Sequence, residues 1–79
     1  MSRFPVEAPK RRVTKALESP GFVVVREAEH IGMLRENADG TRTPLTMPNH
    51  PQIKGSTLHI ICTQARITRD EFRTAYEES

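Results

Sequence analysis

Three histidines are the side chains of this sequence best suited to proton-transfer chemistry: His30, His50 and His59. Imidazole gains and loses a proton near neutral pH, so a single ring can act as a general acid or a general base. His30 is the leading candidate because it begins a strand at the edge of an open face. His50, between two prolines, is the second candidate. His59 falls on a helix, where a histidine is more often a surface residue.

Two short strands must position His30. The β-branched run at residues 22–25 favours a first strand, and residues 27–29 are too polar to continue a buried one. In the second strand, alternation sends Ile31 and Met33 to one face and His30 to the other. If the apolar pair is buried, the imidazole is left near the open face of the sheet.

A third strand follows a reversal at residues 36–41. The pair Asp39-Gly40 tolerates the left-handed backbone that hairpin turns need. The next strand, at about residues 43–47, places Leu45 and Met47 on the covered face. Three antiparallel strands with helices on one side is the simplest arrangement, and it defines an α+β fold.

Helical signals occur before and after these strands. Apolar spacing predicts an amphipathic helix at residues 9–18 and a main helix that Ser56 caps. Thr68 and Glu71 form the sequence signature of a capping box, which predicts a short final helix at residues 69–76. The helices supply the layer that covers the sheet.

Length and composition limit the class of protein. A chain of 79 residues allows one domain with a small core, which we divide into an N-terminal arm, residues 1–8, and a single domain, residues 9–79. The one cysteine, Cys62, excludes an internal disulfide and is interpreted as a buried core residue. No apolar run approaches the ~20 residues that span a bilayer. We expect a cytoplasmic protein with no cofactor and no bound metal.

The charge pattern permits an anionic partner. The formal net charge is +2 and the isoelectric point is about 9.1, with basic residues early in the chain and acidic residues at its end. Arg26, Arg35, His50 and Lys54 are candidate contacts to phosphate beside the open face. Lys54 also precedes the main helix, whose N-terminal amides are a candidate anion site.

Several motifs, in order along the chain, resemble the HicA family of bacterial toxins. The resemblance covers about residues 13–72 and implies a double-stranded-RNA-binding-domain-like α-β-β-β-α fold, with a short C-terminal helix. It further implies metal-independent cleavage of mRNA and inhibition by a HicB-like antitoxin. The motifs that carry it are Gly21-Phe22-Val23-Val24-Val25-Arg26, His30, Pro48-Asn49-His50-Pro51, Lys54-Gly55-Ser56-Thr57-Leu58 and Ile67-Thr68-Arg69-Asp70-Glu71-Phe72.

His30 matches the catalytic histidine of that family, which typically follows a Gly-Ser or similar pair. This chain departs from the pattern, because Ala28-Glu29 stands there and a carboxylate repels phosphate. His59 also stands where the family often has arginine. The resemblance thus implies a toxin with endoribonuclease activity that these changes reduce or alter. Two alternatives stay open: a noncatalytic RNA- or protein-binding module of the same fold, and a small subunit stabilised mainly by its partner.

Overall fold

The structure is a computed structural model that describes residues 4–78. Met1 to Arg3, within the expected N-terminal arm, and Ser79 lie outside the described residues. Within the described part of the chain, no helix is both long and apolar enough to cross a membrane. The elements in chain order are β1 (Glu7–Pro9), α1 (Lys10–Glu18), β2 (Val23–Glu27), β3 (His30–Glu36), β4 (Arg42–Pro48), β5 (Gln52–Lys54), α2 (Gly55–Ala65) and α3 (Arg69–Glu77).

The main sheet has three antiparallel strands in the order β2-β3-β4. Its register pairs Ile31 with Met47 and Met33 with Leu45, and all four side chains are buried. Cross-strand partners share a face of the sheet, so these residues form one apolar surface against the helices. The expected α+β fold, with helices on one face of a three-stranded antiparallel sheet, is confirmed.

The helices fill the core from the other side. Buried positions recur at helical spacing in α1 and in α2, as the apolar pattern predicts. The Cys62 thiol is among them, and burial raises its pKa, which keeps the sulfur protonated. The buried side chains that form this single cluster are Ala8, Val13, Ala16, Leu17, Phe22, Ile31, Met33, Leu45, Met47, Ile53, Leu58, Ile61, Cys62, Ala65 and Phe72.

A second, two-stranded sheet joins β1 to β5, and the sequence did not predict it. Ala8 and Ile53 pair at its centre and are both buried. Helix α2 begins directly after β5 with Lys54 at the N-cap position, so the prediction that Ser56 caps this helix was wrong. The Gly55 amide instead donates to the Val6 carbonyl at 2.5 Å, which replaces a side-chain cap.

Helix α3 begins with the predicted capping box. Thr68 Oγ1 accepts a hydrogen bond from the Glu71 amide at 3.0 Å, and Glu71 Oε1 accepts one from the Thr68 amide at 3.0 Å. These hydrogen bonds with Thr68, the one from its backbone first, lower the pKa of Glu71. The other end of the helix is tied to α1, because Arg12 lies 3.9 Å from the centre of the Tyr76 ring and donates to the Tyr76 carbonyl.

We expect Thr68→Ala to lower the free energy of unfolding by about 1 kcal/mol, because the Glu71 amide loses its acceptor. Urea unfolding followed by circular dichroism measures this difference. Thr74→Ala is the matched control, since Thr74 is exposed on the same helix and alanine favours helix there. Equal stabilities of Thr68→Ala and Thr74→Ala would contradict the stabilising role of the cap.

The contribution of the Glu71 carboxylate should depend on pH. The folded-state pKa of Glu71 is lowered, so this contribution is present above the unfolded-state pKa and is lost as pH falls through the folded-state value. The difference in free energy of unfolding between wild type and Glu71→Ala, measured by urea unfolding, should therefore narrow in acid.

Candidate active-site groove

A shallow groove of about 490 Å³ crosses the open face of the main sheet. All three strands and the turn between β2 and β3 contribute to it. Two of the residues expected to form a site, His30 and Arg26, meet here. The lining residues are Arg26, Ala28, Glu29, His30, Gly32 and Thr46.

His30 is the first residue of β3 and is exposed, whereas Ile31 beside it is buried. It lies opposite Pro48 of β4 in the register. The alternation of the strand places the imidazole on the face away from the helices. A ligand in solvent can therefore reach the ring directly.

A β-bulge in β2 decides where Arg26 points. Val24 lies opposite Met33 and Arg26 lies opposite Gly32, so Val25 is an extra residue in β2. In a regular ladder Val25 would pair with Gly32, and Arg26 would then lie opposite Ile31, on the covered face. The bulge moves the guanidinium to the open face, which it shares with His30.

Gly32 leaves room between these two side chains. A Cβ atom at this position would lie 3.7 Å from the Cβ of Arg26 and 3.9 Å from the Cγ2 of Val25. These are ordinary van der Waals contacts, so a longer side chain would occupy the floor of the groove. The missing side chain keeps the space next to His30 open.

The turn that carries Glu29 is held by Asn49. Its Nδ2 donates to the Ala28 carbonyl at 2.7 Å, and its backbone amide donates to the Glu29 carbonyl at 3.4 Å. Its Oδ1 accepts from Lys10 Nζ at 2.6 Å. One asparagine thus connects the turn before His30 to the start of α1. Sequence reasoning missed Asn49 and Lys10, although Asn49 lies within the Pro48-Asn49-His50-Pro51 motif.

Three other expected site residues do not line the groove. Arg35 is on the opposite face of β3 from His30; its guanidinium lies 4.9 Å from the Phe22 ring centre, and Nε donates to Asn37 Oδ1 at 3.0 Å. Lys54 lies beside a different pocket. His50 is exposed in the connector after β4. Of the five residues, the structure brings together only His30 and Arg26.

The pocket beside Lys54 has a volume of about 580 Å³ and lies at the start of α2. His59 stacks there on Phe4, with ring centres 4.5 Å apart and planes at 16°. His59 is half-buried rather than fully exposed, because its ring packs against Phe4. The Gly55 amide is already bonded to the Val6 carbonyl, which leaves the expected anion site with one donor fewer.

Fold and site together define a class: a small α+β domain whose antiparallel sheet presents a histidine and an arginine to solvent. A family model described as the HicA toxin of bacterial toxin-antitoxin systems matches residues 11–67 of the 79. The chain belongs to the HicA toxin family, and the matched range includes every residue of the groove. No curated protein and no solved structure shows significant similarity to the chain.

We expect Asn49→Ala to loosen the turn at Ala28 and Glu29, because the hydrogen bond that Asn49 Nδ2 donates to the Ala28 carbonyl is lost, together with the one that Oδ1 accepts from Lys10, each worth about 1 kcal/mol. Heteronuclear NOE values of the Glu29 and His30 amides should fall. Asn37→Ala is the matched control, since Asn37 braces the turn between β3 and β4 through Arg35 and Thr43. Unchanged order at Glu29 and His30 in Asn49→Ala would show that Asn49 does not hold this turn.

Proposed function

We propose that this chain is a metal-independent endoribonuclease, an mRNA interferase, acting in the cytoplasm as the toxin of a type II toxin–antitoxin system. Membership of the HicA family supports the pairing with an antitoxin, which we propose is HicB-like. The observation that carries the nuclease activity is the exposed His30 beside Arg26 in one open groove.

RNA contains its own nucleophile, so the enzyme needs few groups. Attack of the 2′-hydroxyl on the adjacent phosphorus requires a base for the hydroxyl proton and an acid for the departing 5′-oxygen. A cation stabilises the charge on the non-bridging oxygens. His30 supplies proton transfer, and Arg26 binds the phosphate through a planar guanidinium that matches its geometry.

RNA extends beyond a groove of this size, so further contacts lie outside it. We propose His50, Arg35 and Lys54 as contacts to more distant phosphates. The chain has one tyrosine and three phenylalanines, of which Phe22 and Phe72 are buried. Base stacking on aromatic rings therefore contributes little, and strong sequence readout of unpaired bases is not expected.

The exposed valines of β2 support an additional protein partner. Val23, Val24 and Val25 are 57%, 43% and 61% exposed, next to the groove. An apolar strand at the edge of a sheet favours association with another chain. We propose that the antitoxin covers this strand together with the groove.

A second candidate function is a noncatalytic RNA- or protein-binding module. Glu29 favours it, because a carboxylate in the groove repels a phosphate placed beside His30. The two functions differ in one measurable property, which is cleavage of RNA by the isolated chain.

Induction of the chain without a partner should arrest growth and degrade mRNA, and His30→Ala should do neither. Growth curves and primer extension on cellular transcripts measure both effects. Immunoblotting at equal expression controls for protein level. Equal toxicity of wild type and His30→Ala would exclude His30 from the reaction, and a harmless folded wild type would favour the binding module.

RNA binding is measured in the His30→Ala protein, which we expect not to cleave the RNA. In this background Arg26→Ala should weaken binding and reduce the slope of log K against log salt concentration by about 1, as loss of one phosphate contact does. Arg42→Ala is the matched control, because Arg42 lies at the far end of the open face, 3.9 Å from Glu36. Fluorescence anisotropy with a labelled single-stranded RNA measures both slopes. Identical slopes for the two variants would show that Arg26 does not contact phosphate.

A further inference from the structure

We infer that Glu29 is the general base of the cleavage reaction and that His30 is its general acid. This inference rests on the proposed ribonuclease function and assigns the second proton-transfer group of the same groove. It gives a chemical role to the residue that departs from the family pattern.

The composition of the groove identifies Glu29. Cleavage through the 2′-hydroxyl needs two proton transfers, one at each end of the reaction. Among the six lining residues, only Glu29 and His30 have side chains that commonly act as general acids or bases. Arg26 supplies the guanidinium that serves as the cation. The groove therefore holds one base, one acid and one positive charge.

Glu29 is available for this role. Its side chain makes no hydrogen bond and no ion pair with any described residue, whereas Glu36 and Asp70 pair with Arg42 and Arg73. The residue is exposed, so solvent or a ligand in the groove can reach its carboxylate directly. A carboxylate without a partner can accept the proton of an incoming hydroxyl.

The backbone that joins Glu29 to His30 is fixed. The Glu29 carbonyl accepts from the Asn49 amide at 3.4 Å, and the Ala28 carbonyl before it accepts from the Asn49 side chain at 2.7 Å. The Ala28 amide donates to the His30 carbonyl at 3.1 Å. These bonds fix the backbone from which both side chains reach the groove, which reduces the entropy lost when substrate binds.

Two proton transfers accompany one displacement at phosphorus. The Glu29 carboxylate takes the 2′-hydroxyl proton while O2′ forms a bond to phosphorus, and the bond from phosphorus to O5′ breaks as the His30 imidazolium gives its proton to that oxygen. The products are a 2′,3′-cyclic phosphate and a 5′-hydroxyl. Arg26 holds the non-bridging oxygens during the transfer.

This assignment predicts a bell-shaped dependence of kcat/KM on pH. The rate should fall in acid, where a carboxylate base becomes protonated, and in alkali, where an imidazolium acid loses its proton. The charged or titratable groups around the turn are Arg26 and Glu27 on β2, Lys10 through Asn49, and His50 in the connector. We expect none of these groups to act as the base in place of Glu29, so the acidic limb of the pH profile depends on the Glu29 carboxylate.

The test measures cleavage of a defined in vitro transcript by the full chain, with the 2′,3′-cyclic product as the readout. Glu29→Gln should lower kcat by about 10²- to 10⁴-fold, leave KM unchanged or lower, and abolish the acidic limb of the pH profile. Glu29→Asp should keep that limb with a smaller loss. Glu27→Gln is the matched control, since Glu27 lies opposite Ile31 and does not line the groove.

Glu29→Ser separates catalysis from simple repulsion. If Glu29 is the base, this variant cleaves more slowly than wild type; if the carboxylate only repels phosphate, it cleaves faster, and the inference is overturned. Cleavage by Glu29→Gln at the wild-type rate, with loss only in His30→Ala, would overturn the role of Glu29 alone. Absence of cleavage by folded wild-type chain would overturn the proposed function as well.

Discussion

Burial of Ile31 and Met33 against the helices fixes the orientation of the central strand and, through it, the placement of the groove. β3 pairs on both sides, with β2 and with β4, so its register sets that of the whole sheet. A slip of one residue would bring His30 to the covered face and expose the two apolar side chains. The cost of exposing them, about 1.5–3 kcal/mol for each large apolar side chain, favours the observed register.

Two irregular features of the main sheet bring the candidate site residues to one groove. The extra residue at Val25 rotates Arg26 onto the open face, and the turn held by Asn49 presents Glu29 and His30 at the same end. Neither feature adds to the hydrophobic core. Both interrupt ideal strand geometry at the groove, which is where bulges and specially braced turns commonly occur.

The two edges of the sheet differ. The outer edge of β4 is partly covered, because the Thr46 amide donates to Oε1 of Gln64 on α2 at 3.1 Å. The outer edge of β2 has no strand beside it among the described residues and carries exposed valines. An uncovered apolar edge favours association, so the protein is open to a partner on the side where the groove lies.

The elements that depend on neighbouring residues could be predicted from the amino-acid order. Alternation in β3 and β4, helical spacing in α1 and α2, and the capping box of Thr68 and Glu71 each depend on residues a few positions apart, and the structure has all of them. The same alternation indicated which face of β3 carries His30. The motifs that resemble HicA toxins predicted the family, and the match to the family model confirms it.

The contacts between residues far apart in the chain became visible in the folded protein. The β1–β5 pair joins segments more than forty residues apart, and each segment is too short to show a period. At the start of α2, the Val6 carbonyl accepts the hydrogen bond from Gly55 in place of the expected cap at Ser56. The bulge at Val25 appears only when β2 is aligned with β3, and the contacts of Asn49 with Lys10 and Ala28 require the connector to fold back. Periodicity reports the face on which a side chain lies, whereas its partners depend on pairing across the whole chain.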